Sequence, residues 1–384
     1  LVESNTKKSQ DITLSEDQTQ VFDSLVSWLY EDDSNKPLER TLGGYAGTGK
    51  TTLIKKLIET NRTRGDDKLR IAVAAFTGKA AFVLQSKGIY ASTLHRLLYD
   101  VRKEFGEPPT FQLKHKKDFN YDMIIVDEAS MISAALYKDL AYFQVPILFV
   151  GDMGQLEPIG DNPNIMASPD LTITKIHRQA EKSAIIMASK DIREGKHIAD
   201  GTYNWGEVVV TSDFYAQDSH ILDPKFEQII CAKNATRVSS NTKIRTHLGY
   251  PDDPVVGDRL ICLKNNYEYG VFNGMIAVID EIIDKDYDTL TANLLLENGE
   301  PLSDVLISKQ YFNSFKGYEY DRSNRAPRRM TFWDFGYAIT CHKSQGSEWD
   351  NVLVLVESLW PGYDVKRWLY TAVTRASNHL TICT

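Results

Sequence analysis

Residues Gly44 to Thr51 read G-Y-A-G-T-G-K-T, and Gly44, Gly49, Lys50 and Thr51 complete the spacing G-x-x-x-x-G-K-[ST]. These types at this spacing hold a polyphosphate. Glycines let the backbone turn tightly and bring its N–H groups up to anionic oxygens, and a helix N-terminus behind them adds partial positive charge. Lys50 is placed to reach the β- and γ-phosphates, and the Thr51 hydroxyl to hold Mg²⁺. A short strand over Leu38–Leu42 precedes the loop. The apolar-periodic Leu53, Ile54, Leu57 and Ile58 follow it as a helix. The stretch reads as a nucleoside triphosphate site.

A second group of polar residues sits at the ends of apolar runs. Tyr121 to Val126 reads as a buried strand ending at Asp127-Glu128. Carboxylates at that edge of an open α/β sheet stand where ligands bind. Asp127 suits Mg²⁺ held through its water shell, and Glu128 suits the polarisation of an attacking water. Val145 to Val150 is another apolar strand, running into a loop with Gln155. That glutamine is either a turn residue or a γ-phosphate contact. Ser15 and Gln18 have the S-x-x-Q spacing of a capping box at the start of an amphipathic helix over Leu14–Tyr30. Thr77, Thr93 and His95 lie at strand-to-helix junctions, where a cap and a ligand contact are both open readings.

The elements that position these groups follow from the apolar pattern. Leu69–Ala75, Val208–Ser212, Gln228–Ala232 and Asn351–Val356 read as strands, and Asn234–Leu248 as a helix. Gly257 to about Phe315 differs: short β-rich runs separated by turn residues suggest a small barrel insertion. Tyr99 to Asp118 carries five basic residues, Arg102, Lys103, Lys114, Lys116 and Lys117, and two phenylalanines, Phe105 and Phe111, around Pro108-Pro109. A proline pair cannot sit inside a ladder but can form a tip. The segment reads as a short projecting hairpin or, equally, a solvated surface loop.

With 384 residues, two or three domains fit. No apolar run approaches the roughly 20 residues of a membrane span. The four cysteines lie far apart with no C-x-x-C pair, which argues against zinc and a disulfide framework and for a reducing compartment. A net charge of −8 argues against coating nucleic acid by bulk charge, though a narrow basic channel needs only a local track.

Taken in order, the stretches L-S-E-D-Q, G-Y-A-G-T-G-K-T, A-A-F-T-G-K-A-A, S-T-L-H-R-L-L, V-D-E-A-S-M, G-D-M-G-Q-L-E-P-I, I-H-R-Q, A-I-T-C-H-K-S-Q-G-S-E and Y-T-A-V-T-R-A resemble superfamily 1 helicases of the RecD/Dda-like branch. They run from about Leu14 to Leu380. The resemblance implies an α/β fold of two RecA-like parallel-sheet motor domains, with an SH3-like β-barrel insertion in the second half and a pin-like projection in the first. The expected boundaries are 1–168 for the first motor domain with the pin at 99–118, 169–257 and 331–384 for the two parts of the second, and 258–330 for the barrel. Asn265, Asn266 and the Asn273-Gly274 turn match the barrel's pattern.

The same resemblance implies ATP-dependent, DNA-stimulated translocation on single-stranded DNA and duplex unwinding, with 5′→3′ travel. Gln18 would contact adenine. Gly47, Thr48, Gly49, Lys50, Thr51 and Thr52 would hold the phosphates, with Gly346 and Glu348 near the sugar or phosphates. Gln155 would sense the γ-phosphate, and Arg178 and Arg375 would be arginine fingers from the second motor domain. Thr77, Lys79, Thr93, His95, Thr340, His342 and Ser344 would line the DNA track, mostly through phosphates. Phe105, Pro108, Pro109 and Phe111 would form the strand-splitting wedge. ATP and Mg²⁺ are the implied cofactors. Single-stranded DNA and its junctions with duplex are the implied partners of a monomeric motor, with replication or recombination proteins beside it. A cytoplasmic location, or the host cytoplasm for a phage protein, goes with that role. An RNA-stimulated ATPase on the same motor and a non-translocating nucleotide switch remain alternatives.

Overall fold

The apolar runs assemble into two parallel sheets and a barrel. The computed structural model describes residues 14–30, 37–102, 110–157, 163–176, 182–266, 268–315, 329–359 and 362–384. The first lobe is a six-stranded sheet in the order Ser92–Thr93, Ile71–Ala75, Met123–Asp127, Ile147–Gly151, Glu39–Gly44, Leu171–Ile173, and every neighbouring pair is parallel. Parallel strands need covering on both faces, which is why they read as unbroken apolar runs. Successive side chains alternate between those faces. Val73, Ile125, Leu148 and Val150 pack under helices Glu16–Tyr30, Lys50–Arg62 and Gly78–Ser86. Ile124, Val126, Ile147 and Phe149 pack under Leu94–Leu98 and Ala134–Ala141.

The second lobe is also six-stranded, in the order Ala338–Thr340, Gln228–Cys231, Trp349–Leu355, Ala376–Cys383, Val208–Thr211, Gly201–Tyr203. All its pairs are parallel except the last, where Gly201–Tyr203 adds an antiparallel edge. Between its two halves, Arg259–Cys262, Ile276–Lys285, Thr289–Leu296, Pro301–Ser308 and Thr331–Phe335 close a five-stranded barrel. A buried Arg245–Asp258 ion pair at 2.8 Å and the Arg237–Asp334 pair bind helix Asn234–His247 to that barrel.

Two boundaries differ from the sequence expectation. Leu171–Ile173 pairs with Leu42–Gly44, so the first lobe runs beyond residue 168. Thr331–Phe335 pairs with Arg259–Cys262 and Pro301–Ser308, so the barrel runs beyond residue 330. A three-residue strand carries no readable period. The barrel's last strand follows a basic, Gly/Asn/Pro-punctuated stretch that masked its Trp333 and Phe335, both wholly buried. The basic segment of the first lobe does form a hairpin: Tyr99–Arg102 pairs antiparallel with Thr110–Leu113. Phe105, Pro108 and Pro109 lie outside the described residues, and Phe111 stands opposite Val101 in the ladder.

Candidate functional site

The phosphate loop leaves strand Glu39–Gly44 and enters helix Lys50–Arg62 through two left-handed glycines, Gly47 at φ 76° and Gly49 at φ 85°. Thr48 is wholly buried, and its hydroxyl donates to Tyr45 O at 2.8 Å, cinching the turn. Lys50 Nζ donates to Gly44 O at 2.8 Å and Tyr45 O at 3.0 Å and lies 4.0 Å from Asp152 Oδ2. Thr51 and Thr52 occupy the first turn of the helix, half-buried.

Gln18 is buried against this loop. Its Oε1 accepts from Ser15 N at 2.9 Å, the capping bond, and its Nε2 donates to Thr48 O at 2.9 Å. Both polar ends of the amide are therefore bonded within the protein. Gln18 thereby braces the phosphate loop.

Asp127 ends strand Met123–Asp127, and Glu128 follows in the left-handed region at φ 54°. Burial pushes both carboxyl groups up. The Lys50 ammonium pulls Asp127 back down. The Asp127 charge pushes Glu128 further up, while Arg375 and Lys50 pull it down. Gln155 is buried on the loop after Ile147–Gly151, its Nε2 3.5 Å from Asp152 Oδ2 and its Oε1 without a hydrogen-bond partner among the described residues.

The second lobe supplies the far wall. Helix Val365–Val373 carries Tyr370, whose hydroxyl donates to Asp152 Oδ2 at 2.8 Å and accepts from Ala46 N at 2.9 Å. Thr371 Oγ1 accepts from Leu156 N at 2.9 Å, and Gln345 Nε2 donates to Leu156 O at 2.8 Å. Arg193 lies over the Tyr45 ring, 3.4 Å from its centroid. Arg375 is buried just beyond the helix, donating to Thr371 O and Ser347 O, each at 3.0 Å, and to Thr374 Oγ1 at 3.1 Å. The planar guanidinium is thus held rigid with its charge acting on Glu128. Arg178 lies outside the described residues.

Several expected contacts take other partners. Thr77 Oγ1 accepts from Ala80 N and Thr93 Oγ1 from Arg96 N, so both hydroxyls cap helices. Lys79 Nζ pairs with Glu297 of the barrel at 2.6 Å and lies 4.2 Å from the centroid of the Trp349 ring. Its ammonium links the first lobe to the barrel. Ser344 is wholly buried with its hydroxyl donating to Cys341 O at 2.8 Å. His95 stacks on Tyr99 and His342 sits edge-on to Tyr363, and burial lowers the pKa of both imidazoles. Thr340 precedes helix Cys341–Ser344 without capping it.

Gly346, in a left-handed turn, abuts Thr77: a Cβ there would lie 2.8 Å from Thr77 Oγ1. It faces the first lobe's Thr77–Ala80 stretch instead of the phosphate loop. Glu348 is exposed, because the same turn carries it outward. Across the lobes, Gly346 thus meets Thr77 and Trp349 meets Lys79. Reasoning from the sequence missed Tyr370, Gln345, Asp152 and Glu297. Tyr370 stands inside Y-T-A-V-T-R-A, yet no local spacing pairs position 370 with positions 46 and 152.

Fold and site together define a phosphate-loop protein whose second lobe closes over the nucleotide loop of the first. A family model described as AAA domain matches residues 14–212, just over half of the chain, and one described as UvrD-like helicase C-terminal domain matches residues 335–383. The chain is 29% identical over 94% of its length to the ATP-dependent RecD2 DNA helicase of Deinococcus radiodurans, covering 48% of that protein. It is 29% identical over 51% of its length to the ATP-dependent DNA helicase dda of Enterobacteria phage T4, covering 45% of that protein. The chain thus spans about half the length of these relatives. A crystal structure of Pif1 helicase from Bacteroides with ADP-AlF3 and ssDNA shares the fold, with a TM-score of 0.56 at 20% identity over 97% of this chain and 93% of that one. The chain belongs to the AAA-domain family, and both family matches and these relatives are consistent with the resemblance to superfamily 1 helicases of the RecD/Dda-like branch.

Proposed function

We propose that this chain is the motor of an ATP-dependent single-stranded DNA translocase and DNA helicase, moving 5′→3′ and opening duplex ahead of it. The observation that carries the reading is the seating of helix Val365–Val373 on the phosphate loop, with Arg375 buried behind it and acting on Glu128. A cation delivered by the second lobe makes lobe closure and hydrolysis one event, because it stabilises charge spreading over the transferring phosphoryl group.

In this reading Lys50 and the backbone from Gly47 to Thr52 hold the triphosphate. Glu128 orients the attacking water, Gln155 faces the γ-phosphate, and Arg178 joins Arg375 from the second lobe. Thr51 and Asp127 offer the hydroxyl and carboxylate oxygens that suit Mg²⁺. The Asp127 and Asp152 charges both act against ionisation of Glu128, and a divalent cation held by Thr51 and Asp127 would offset them. Bound Mg²⁺ would neutralise phosphate charge. Breaking the lobe contacts after hydrolysis would let the two track segments exchange their grip, advancing the motor about one nucleotide. The barrel is assigned as the SH3-like insertion of this branch, and the Tyr99–Leu113 hairpin as the strand-splitting pin.

The test is unwinding of matched 5′-tailed and 3′-tailed duplexes with ATP, alongside ATPase assays with DNA and RNA oligonucleotides. Unwinding of the 5′-tailed substrate alone, with DNA-stimulated ATPase abolished by Lys50→Ala, is the expected result. An ATPase rate indifferent to DNA would overturn the motor reading, and stimulation by RNA alone would reassign its track.

A further inference from the structure

Tyr370 is one of the largest wholly buried side chains of the protein, and none of the hydrolytic roles above uses it. Its ring meets Tyr45 edge-on, with centroids 6.3 Å apart. It fits only because position 154 is glycine: a Cβ there would lie 2.8 Å from the ring. At its tip, one hydroxyl serves two segments of the opposite lobe, Ala46 N of the phosphate loop and Asp152 Oδ2 of the loop carrying Gln155. The same Oδ2 lies 4.0 Å from Lys50 Nζ, and Asp152 Oδ1 accepts from Gly154 N at 2.8 Å. Asp152 is therefore a buried carboxylate shared between a phenol of the second lobe and the lysine of the phosphate loop.

We infer that Tyr370 is a positioning residue for hydrolysis: its hydroxyl holds Asp152 off Lys50 and ties the phosphate loop to the helix that leads to Arg375. The inference rests on the motor reading and adds a residue to it. Two charged groups in a buried site attract strongly. Asp152 without the phenol would swing fully onto Lys50, taking the ammonium that the phosphates need. Thr371, the next residue, accepts from Leu156 N and offers its carbonyl to Arg375 Nε. One helical turn thus sets the Asp152 carboxylate, the phosphate loop and the arginine in register, and it does so only while the lobes are closed. Burial and the Asp152 charge keep the phenol pKa well above its usual value, so it stays a neutral donor.

The experiment is steady-state ATPase of the chain with saturating oligo-dT for wild type, Tyr370→Phe, Asp152→Asn and the double variant. A hydrogen bond to a charged group is worth about 1.5–3 kcal/mol. Tyr370→Phe should therefore lower kcat at least about tenfold, while KM for ATP rises no more than a few-fold. The double variant should be no more than about twofold worse than Tyr370→Phe, because without the Asp152 carboxylate nothing is left to draw Lys50 away. Melting curves verify that the variants fold. Should Tyr370→Phe not fold, Gly154→Ala, which displaces the ring, must reproduce the kcat loss. Multiplicative losses, or turnover of Tyr370→Phe within twofold of wild type, would overturn the inference. A wild-type chain without DNA-stimulated ATPase would instead sink the motor reading itself.

Discussion

Replacing Gln18 with alanine removes two hydrogen bonds at once, from Ser15 N and to Thr48 O, each 2.9 Å long. The bond from Ser15 N is worth about 1 kcal/mol net, and leaving the buried Thr48 carbonyl without its donor costs about 1–3 kcal/mol. The sum is about 2–4 kcal/mol. At roughly 2–4 °C per kcal/mol for a lobe of this size, melting of the first lobe should fall by about 4–16 °C. Thr48 lies inside the phosphate loop, so the loss should raise KM for ATP, GTP and CTP alike. Gln18→Glu should be worse for the loop, since it keeps the acceptor for Ser15 N but sets a carboxylate oxygen against Thr48 O. Thermal melts and kcat/KM for the three nucleotides make the test, with an ATP/GTP ratio unchanged within about twofold as the expected result. A collapse of that ratio at unchanged melting temperature would refute the brace and restore adenine reading.

Arg375→Ala should lower DNA-stimulated kcat by roughly a thousandfold or more while leaving ATP affinity within a few-fold, because the contact strengthens in the transition state; equal losses in both would contradict a finger. Glu128→Gln should abolish turnover and raise the melting temperature of the nucleotide-free protein. The folded state holds the Glu128 pKa above its unfolded value, so stability is greatest below the unfolded pKa and falls as pH rises through the folded one; the amide removes that loss, and a lower melting temperature at pH 8 would count against the burial argument. Lys79→Ala should lower the melting temperature by breaking its 2.6 Å pair with Glu297, which also accepts from Arg259 Nη2 and Trp349 Nε1. Filter-binding should find DNA affinity changed by less than about twofold, and a tenfold loss at unchanged stability would return Lys79 to the DNA track.

The parallel sheets were legible because a strand covered on both faces must be apolar along its whole length. Ile147–Gly151 and Met123–Asp127 emerge within two residues of their expected positions. The phosphate loop was legible for a related reason: its glycines act on their own backbone, and Lys50 and Thr51 lie in the turn they form. Edges were not. Leu171–Ile173 and Ser92–Thr93 are too short to show a period, and their strand state depends on neighbours already in place. Thr77 and Thr93 show how a residue type at a junction serves two trades, since a hydroxyl that caps a helix and one that meets a phosphate look identical in the chain.

What the sequence determined by itself is local: the turn that takes a polyphosphate, the carboxylates at a strand end, the apolar runs that must become buried strands. These depend on groups a few residues apart, whose geometry the backbone enforces. Only the tertiary structure decided which groups meet across the cleft: Tyr370 on Ala46 and Asp152, Gln345 on Leu156, Lys79 on Glu297. Those partners stand between 189 and 324 positions apart in the chain. Their pairing is set by how two sheets and a barrel pack, and no short spacing records it.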